Sequence, residues 1–340
     1  MRALVNEHVR TAAVPAPDGD EAAAFHRRLA GYEPTPVREL PHVAAELGLG
    51  AVLVKDESDR LGLPAFKVLG ASWAVERALR EQPAITTLVA ASAGNHGRAV
   101  AHVAAQRGLA CRVFLPAGSL PARAEAIAAE GADVVVVDGA YEDAVARAVA
   151  EGAQPGVAEI ADVGSSGPAR WVIDGYATLF AEAAAQAAFG LLVVPVGVGS
   201  LAAAAARFGA HAGCPVVGVE PATAACLTAS LAAGAPTAIP TPGTTMAGLN
   251  CAEISVGAWP SLRDGIHGMV TVDDGEAAAA MAELAEAGLT IGECGAAALA
   301  GLRVLAGDQA CAALRDAVGL GARSRVLLVA TEGVTASSRT

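Results

Sequence analysis

Apolar and polar positions along the 340-residue chain alternate on the scale of one secondary element. Short runs rich in Val, Ile and Leu recur between longer alanine-rich stretches with helical spacing. The runs 51–54, 87–91, 112–115, 134–137, 191–196, 216–219 and 326–330 read as strands. The stretches 70–80, 96–107, 122–130 and 141–150 read as helices. Such alternation predicts an α/β fold with a parallel sheet between helical layers. The strand runs are nearly continuous in apolar residues, as strands buried on both faces should be. The run 86–137 reads as β-α-β-α-β, a compact unit in its own right. A polar stretch follows at 162–168, and the helical pattern resumes at Trp171. A second strand–helix series begins at Leu191, and 236–243, rich in Pro and Thr, reads as a loop.

Composition narrows the reading. The chain is 54% hydrophobic and 17% charged, enough apolar surface for two α/β units, and its net charge of -12 argues against nucleic acid or an anionic membrane as partner. Residues 183–206 carry no charge, but glycines and Pro195 interrupt them. A helix end, a buried strand and a second helix start explain them better than a membrane span. The six cysteines form no CxxC pair and no zinc spacing, which fits separate reduced thiols in a cytoplasmic protein. The amino-terminal residues lack the apolar core of a signal peptide.

Four segments carry candidate chemistry. Lys67 lies in Phe66-Lys67-Val68-Leu69-Gly70 at a helix start, and the chain has one other lysine, Lys55. A cation there opposes the helix dipole, a poor place for a purely structural lysine. Apolar neighbours would desolvate it and lower its pKa, making the amine nucleophilic. Next, Ser92-Ala93-Gly94-Asn95-His96-Gly97 follows a strand and opens a helix, either as a ligand loop or as an ordinary turn with Asn as cap. Third, Val196-Gly197-Val198-Gly199-Ser200-Leu201 forms a glycine-rich anion cradle at another helix start. With Ala202 and Glu220 it also fits a dinucleotide fingerprint, so an NAD-dependent oxidoreductase is a rival reading. Last, the strand 326–330 ends in Thr331-Glu332-Gly333, where ligands sit in open α/β sheets.

Taken in order, these segments resemble the fold-type II pyridoxal-phosphate (PLP) enzymes, the tryptophan synthase β-like group that includes threonine dehydratase, serine racemase and cysteine synthase. Within it the likeness is nearest to the diaminopropionate ammonia-lyases, through WVIDGYATLFAE (171–182), VGVEPATAACL (217–227), TTMAGLNC (244–251), GECGA (292–296) and ATEG (330–333). The resemblance implies two three-layer αβα domains, a smaller one over 86–167 and a larger one from 1–85 plus 168–340, with the cofactor in the cleft. It implies a homodimer and a small amino-acid substrate. Lys67 matches the Schiff-base lysine and α-proton base, and Phe66 precedes it. Asn95 matches the neighbour of the cofactor's phenolic oxygen. Gly197, Val198, Gly199, Ser200 and Leu201 match the phosphate cradle, and Thr331 the partner of the pyridine nitrogen. Ser92, Ala93, Gly94 and His96 belong to the loop that grips the substrate carboxylate.

The implied reaction is α,β-elimination from 2,3-diaminopropionate or a related β-substituted L-amino acid, giving pyruvate and ammonia. A β-replacement synthase, a dehydratase, an isomerase and a non-catalytic amino-acid-binding relative are the alternatives in the same fold. Three positions depart from the lyase pattern. Ala93 stands where the lyases carry an acidic base for the D-isomer, so D-substrates should turn over poorly. Asp162 is the candidate partner of a second substrate amino group, although its loop is shortened. Cys294 replaces a serine. No metal ligand set is evident.

Overall fold

A computed structural model describes residues 1–17, 19–92, 94–139, 141–165 and 167–334. Two sheets organise them. The larger has seven strands in the order Ala3–Val5, Gly268–Val272, Val216–Pro221, Leu191–Pro195, Arg325–Ala330, Ala51–Asp56, Val37–Glu39. Its two outermost pairings are antiparallel and the rest parallel. The smaller has four parallel strands in the order Asp133–Val137, Ala110–Pro116, Thr87–Ala91, Val157–Glu159. All of its strands fall within 86–167.

The side-chain alternation of the strands explains the layers. Along Leu191–Pro195, Leu192 and Val194 enter one core and Leu191 and Val193 the other. Leu327 and Val329 likewise oppose Val326 and Leu328. One core contains residues of helices Lys67–Glu81, Gly167–Gln186 and Ser200–Ala212; the other takes Asp274–Glu286 and Glu293–Gly307. Both faces are therefore dry, and a three-layer αβα arrangement follows. One face of the smaller sheet joins the first core through Leu88, Ala90, Val113 and Leu115; Val89 and Phe114 meet helix Tyr141–Gly152 on the other.

Every expected strand and helix is present, with shifted ends. Helix Gly167–Gln186 starts before Trp171, because Gly167 and Pro168 occupy its first turn, where a missing N–H costs nothing. The uncharged stretch 183–206 resolves into the end of that helix, the strand Leu191–Pro195 and the start of Ser200–Ala212. Among the described residues no single helix is long and apolar enough to cross a membrane.

Helices Lys67–Glu81 and Gly167–Gln186 cross at glycines. A Cβ on Gly175 would lie 2.6 Å from the Leu69 carbonyl oxygen, and one on Gly70 would lie 2.8 Å from Val172 Cγ1. Behind this crossing runs a buried ionic network. Glu182 accepts from Lys55 Nζ at 2.7 Å and from Arg60 Nη1 at 2.7 Å; Arg60 also meets Glu57 Oε1 at 2.6 Å. Thr35, Tyr32 and Gln186 satisfy the remaining donors and acceptors. The network ties the end of strand Ala51–Asp56 to helix Gly167–Gln186, and so holds the loop that delivers Lys67.

Candidate active site

One cavity of about 1380 Å³ gathers the sequence-predicted residues. Lys67, Phe66, Ser92, Gly94, Asn95, His96, Asp162, the whole of Gly197-Val198-Gly199-Ser200-Leu201 and Thr331 all line it. Ala93 lies outside the described residues. Strand C-terminal ends and helix N-termini from both sheets converge on the cavity, the arrangement that favours ligands in α/β folds.

Lys67 is the first residue of helix Lys67–Glu81. Its Nζ lies 5.4 Å from the Phe66 ring centre and 5.9 Å from that of Tyr176. Its Nζ donates a hydrogen bond to Asp162 Oδ2 at 2.9 Å. Burial alone would lower the Lys67 pKa, but the adjacent Asp162 charge more than offsets it and the amine is held above its ordinary value. The expectation of a lowered lysine pKa is thereby corrected: the apolar neighbours do desolvate Lys67, and a carboxylate remote in sequence reverses their effect. Burial pushes Asp162 the opposite way from its cationic neighbours, and the charges of His96 and Lys67 win, holding the carboxyl below its usual range.

His96 is buried. Its Nε2 meets the Ile160 carbonyl at 2.7 Å, while Nδ1 has no hydrogen-bond partner and lies 3.9 Å from Asp162 Oδ2. Asn95 does not cap its helix. Gly94 occupies the cap, and the Asn95 amide donates to Glu332 Oε2 at 2.6 Å. Ser92 Oγ accepts from the Gly94 N–H at 3.2 Å, which closes the loop on itself.

The glycine-rich segment turns sharply into helix Ser200–Ala212. Gly199 has φ 94°, a conformation that side chains resist, and a Cβ on Gly197 would lie 2.9 Å from the Gly248 carbonyl oxygen. Ala203 is the first N–H to bond back to Gly199, at 2.8 Å. The N–H groups of Ser200, Leu201 and Ala202 therefore precede the helical ladder and are available to an anion. The Ser200 hydroxyl instead donates to the Asp162 carbonyl at 2.8 Å, tying the cradle to Asp162. A primary amine, a glycine-walled helix N-terminus and an orphaned imidazole nitrogen in one cavity fit a phosphorylated aldehyde cofactor.

The rival dinucleotide reading loses its acidic residue here. Glu220 is fully buried and accepts from the N–H groups of Leu227 and Thr228 and from the Thr228 hydroxyl at 2.6, 2.9 and 2.7 Å. It serves the start of helix Cys226–Ala233, and burial pushes its carboxyl up to about 7.

Sequence reasoning carried two neighbours only inside larger motifs and gave them no role. Tyr176, whose ring centre is 4.7 Å from that of Phe66, stands beneath Lys67; its aromatic position in an apolar helix gave no sign of that. Glu332 follows Thr331 into the cavity wall, and a carboxylate just past a buried strand was the available signal. Among the described residues no group of three or more His, Cys, Asp or Glu could hold a metal ion.

The diaminopropionate ammonia-lyase of Salmonella typhimurium is 34% identical, over 93% of this chain and 89% of that protein. Its Escherichia coli counterpart is 31% identical, over 92% and 88%. The crystal structure of the E. coli enzyme in complex with an aminoacrylate-PLP azomethine reaction intermediate superposes with a TM-score of 0.88 at 30% identity, covering 97% of this chain and 93% of that one. The family described as pyridoxal-phosphate dependent enzyme matches residues 29–332. With a family match over most of the chain, relatives above 30% identity and a matching fold, the chain belongs to the pyridoxal-phosphate dependent enzymes, and pyridoxal 5'-phosphate is its cofactor.

Proposed function

We propose that this chain is a lyase that eliminates the β-amino group of L-2,3-diaminopropionate as ammonia, after which water releases the α-nitrogen as a second ammonia and leaves pyruvate. The carrying observation is the 2.9 Å contact of Asp162 with an ammonium inside the cavity. A carboxylate that holds one ammonium there can hold the second ammonium of a diamino substrate. The wall supports a cationic ligand. Asp59, Glu142, Asp162, Glu253, Glu293 and Glu332 face three cations, Lys67, Arg98 and Arg123, and Arg98 is already paired with Glu130 at 2.8 Å.

In this reading Lys67 Nζ holds the cofactor and then takes the α-proton. The N–H groups at the start of helix Ser200–Ala212 hold the phosphate, with Gly197 and Gly199 allowing its approach. Thr331, which lines the cavity, would be the partner of the pyridine nitrogen, and a hydroxyl there cannot protonate it strongly. Ser92, Gly94 and the orphaned His96 edge orient the substrate carboxylate. When bound, pyridoxal phosphate acidifies the amino acid's Cα–H by delocalising the resulting carbanion.

The reading includes a smaller domain over 86–167, a homodimer and a cytoplasmic location. The self-contained four-stranded sheet, the resemblance to the lyases, and six unbridged thiols support these in turn. The test is direct: the purified holoenzyme is given L- or D-2,3-diaminopropionate, and pyruvate and ammonia are assayed. Pyruvate from the L-isomer with little from the D-isomer is expected. Pyruvate from serine alone, or 2-oxobutyrate from threonine alone, would move the assignment to a dehydratase.

A further inference from the structure

Glu332 stands where four segments distant in sequence meet, and the roles assigned above leave it none. The Asn95 Nδ2 group donates to its Oε2 at 2.6 Å. The Cys294 thiol is an electrostatic neighbour of the same carboxyl group, and Cys294 Sγ accepts from the Gly248 N–H at 3.3 Å. The backbone is pinned as well: the Glu332 carbonyl accepts from Gly292 N–H at 2.9 Å, and the residue pairs with Ala65 in an isolated β-bridge. Burial, with Glu293 nearby, pushes the Glu332 carboxyl above its ordinary value, against Cys294 and Arg123, which favour the carboxylate.

An asparagine amide can turn about its last torsion and exchange donor for acceptor. An ionised carboxylate only accepts, so it selects the NH2 end of Asn95 and fixes the plane of the amide. One N–H of Nδ2 is used in that contact, and the other remains available to the cavity that Asn95 lines. We propose that Glu332 is a positioning residue, which locks the Asn95 amide so that its free N–H serves the cofactor, with its pinned backbone holding Glu332 in turn. The inference rests on pyridoxal phosphate as cofactor and not on the choice of amino-acid substrate.

The test is a double-mutant cycle read by cofactor binding. Apo forms of the wild type, Asn95→Ala, Glu332→Ala, Glu332→Gln and the double variants are titrated with pyridoxal phosphate. Both the Kd and the visible spectrum are recorded, and thermal unfolding is followed in parallel. Asn95→Ala is expected to weaken binding roughly tenfold and Glu332→Ala by a comparable factor, the scale of one charge-assisted hydrogen bond. If the two residues act through one contact, the double variant binds no more weakly than Asn95→Ala, and its spectrum shifts no further. Glu332→Gln keeps an acceptor oxygen and should stay within about threefold of wild type. Losses that multiply in the double variant would overturn the proposal, as would wild-type binding and spectrum in Glu332→Ala. Should Glu332→Ala fail to fold, Glu332→Gln completes the cycle, and any further loss it causes in the Asn95→Ala background overturns the proposal. No amino acid enters this experiment, so its failure leaves the substrate assignment standing, and failure of the substrate assay leaves this cycle intact.

Discussion

At the scale of single residues, the proposed chemistry turns on the 2.9 Å pairing of Lys67 with Asp162. A protonated lysine is no nucleophile, so capture of pyridoxal phosphate by the apoenzyme should quicken as pH rises toward the raised Lys67 pKa. Asp162→Asn removes the opposing charge and leaves burial in control, so the Lys67 pKa falls. The pH at which capture is half-maximal should therefore move down in that variant, in stopped-flow absorbance. If Asp162 also holds the substrate's second ammonium, kcat/KM for L-2,3-diaminopropionate should fall roughly ten- to hundredfold. An unchanged capture profile would contradict the electrostatic assignment. Lys67 was legible in the sequence because lysine is scarce and this one opens an apolar helix. Its ionisation was not legible, since Asp162 lies 95 residues away and reaches it only through the fold.

Elements were legible where their side chains alternate or repeat with period, and less so where hydrogen-bond partners define them. The edge strands Ala3–Val5, Val37–Glu39 and Val157–Glu159 have three residues each, too few for a pattern. Gly268–Val272 carried a five-residue signal but opens on a glycine, which weakens a strand reading. The helix crossing at Gly70 and Gly175 was hidden too, because a glycine inside a helical pattern reads only as a lapse in propensity. Its packing makes a prediction. Gly175→Ala would bring a methyl against the Leu69 carbonyl, whereas its gain in helix propensity is under about 1 kcal/mol. Overpacking should dominate and cost about 1–3 kcal/mol, read as a lower urea midpoint with an unchanged slope. A stabilised variant would show that the helices can separate freely.

Across the whole molecule, the two sheets share an apolar core, while the loop feeding Lys67 is braced from behind by charge. Arg60, Glu57 and Lys55 have no exposed surface, and each has its opposite charge at hand. Removing one member strands another in a dry interior, so Glu182→Ala should destabilise the fold by about 3–5 kcal/mol in urea unfolding. A loss below about 1 kcal/mol would mean that water reaches the network. The α/β class and sheet were readable because burial on both faces writes itself into apolar runs. The ionic brace was not, because its members are scattered over three segments and look like ordinary surface charges.

That brace also settles what amine chemistry can do to the folded protein. Lys55 is enclosed by Glu182, Gln186 and the Thr35 carbonyl, and the chain has no lysine besides it and Lys67. An acylating dye or amine cross-linker therefore finds the α-amino terminus first, because Asp162 holds the cavity amine of Lys67 protonated and unreactive near neutral pH. In the proposed reading bound cofactor masks Lys67 as well, which leaves a surface that can be tethered or labelled at a single point.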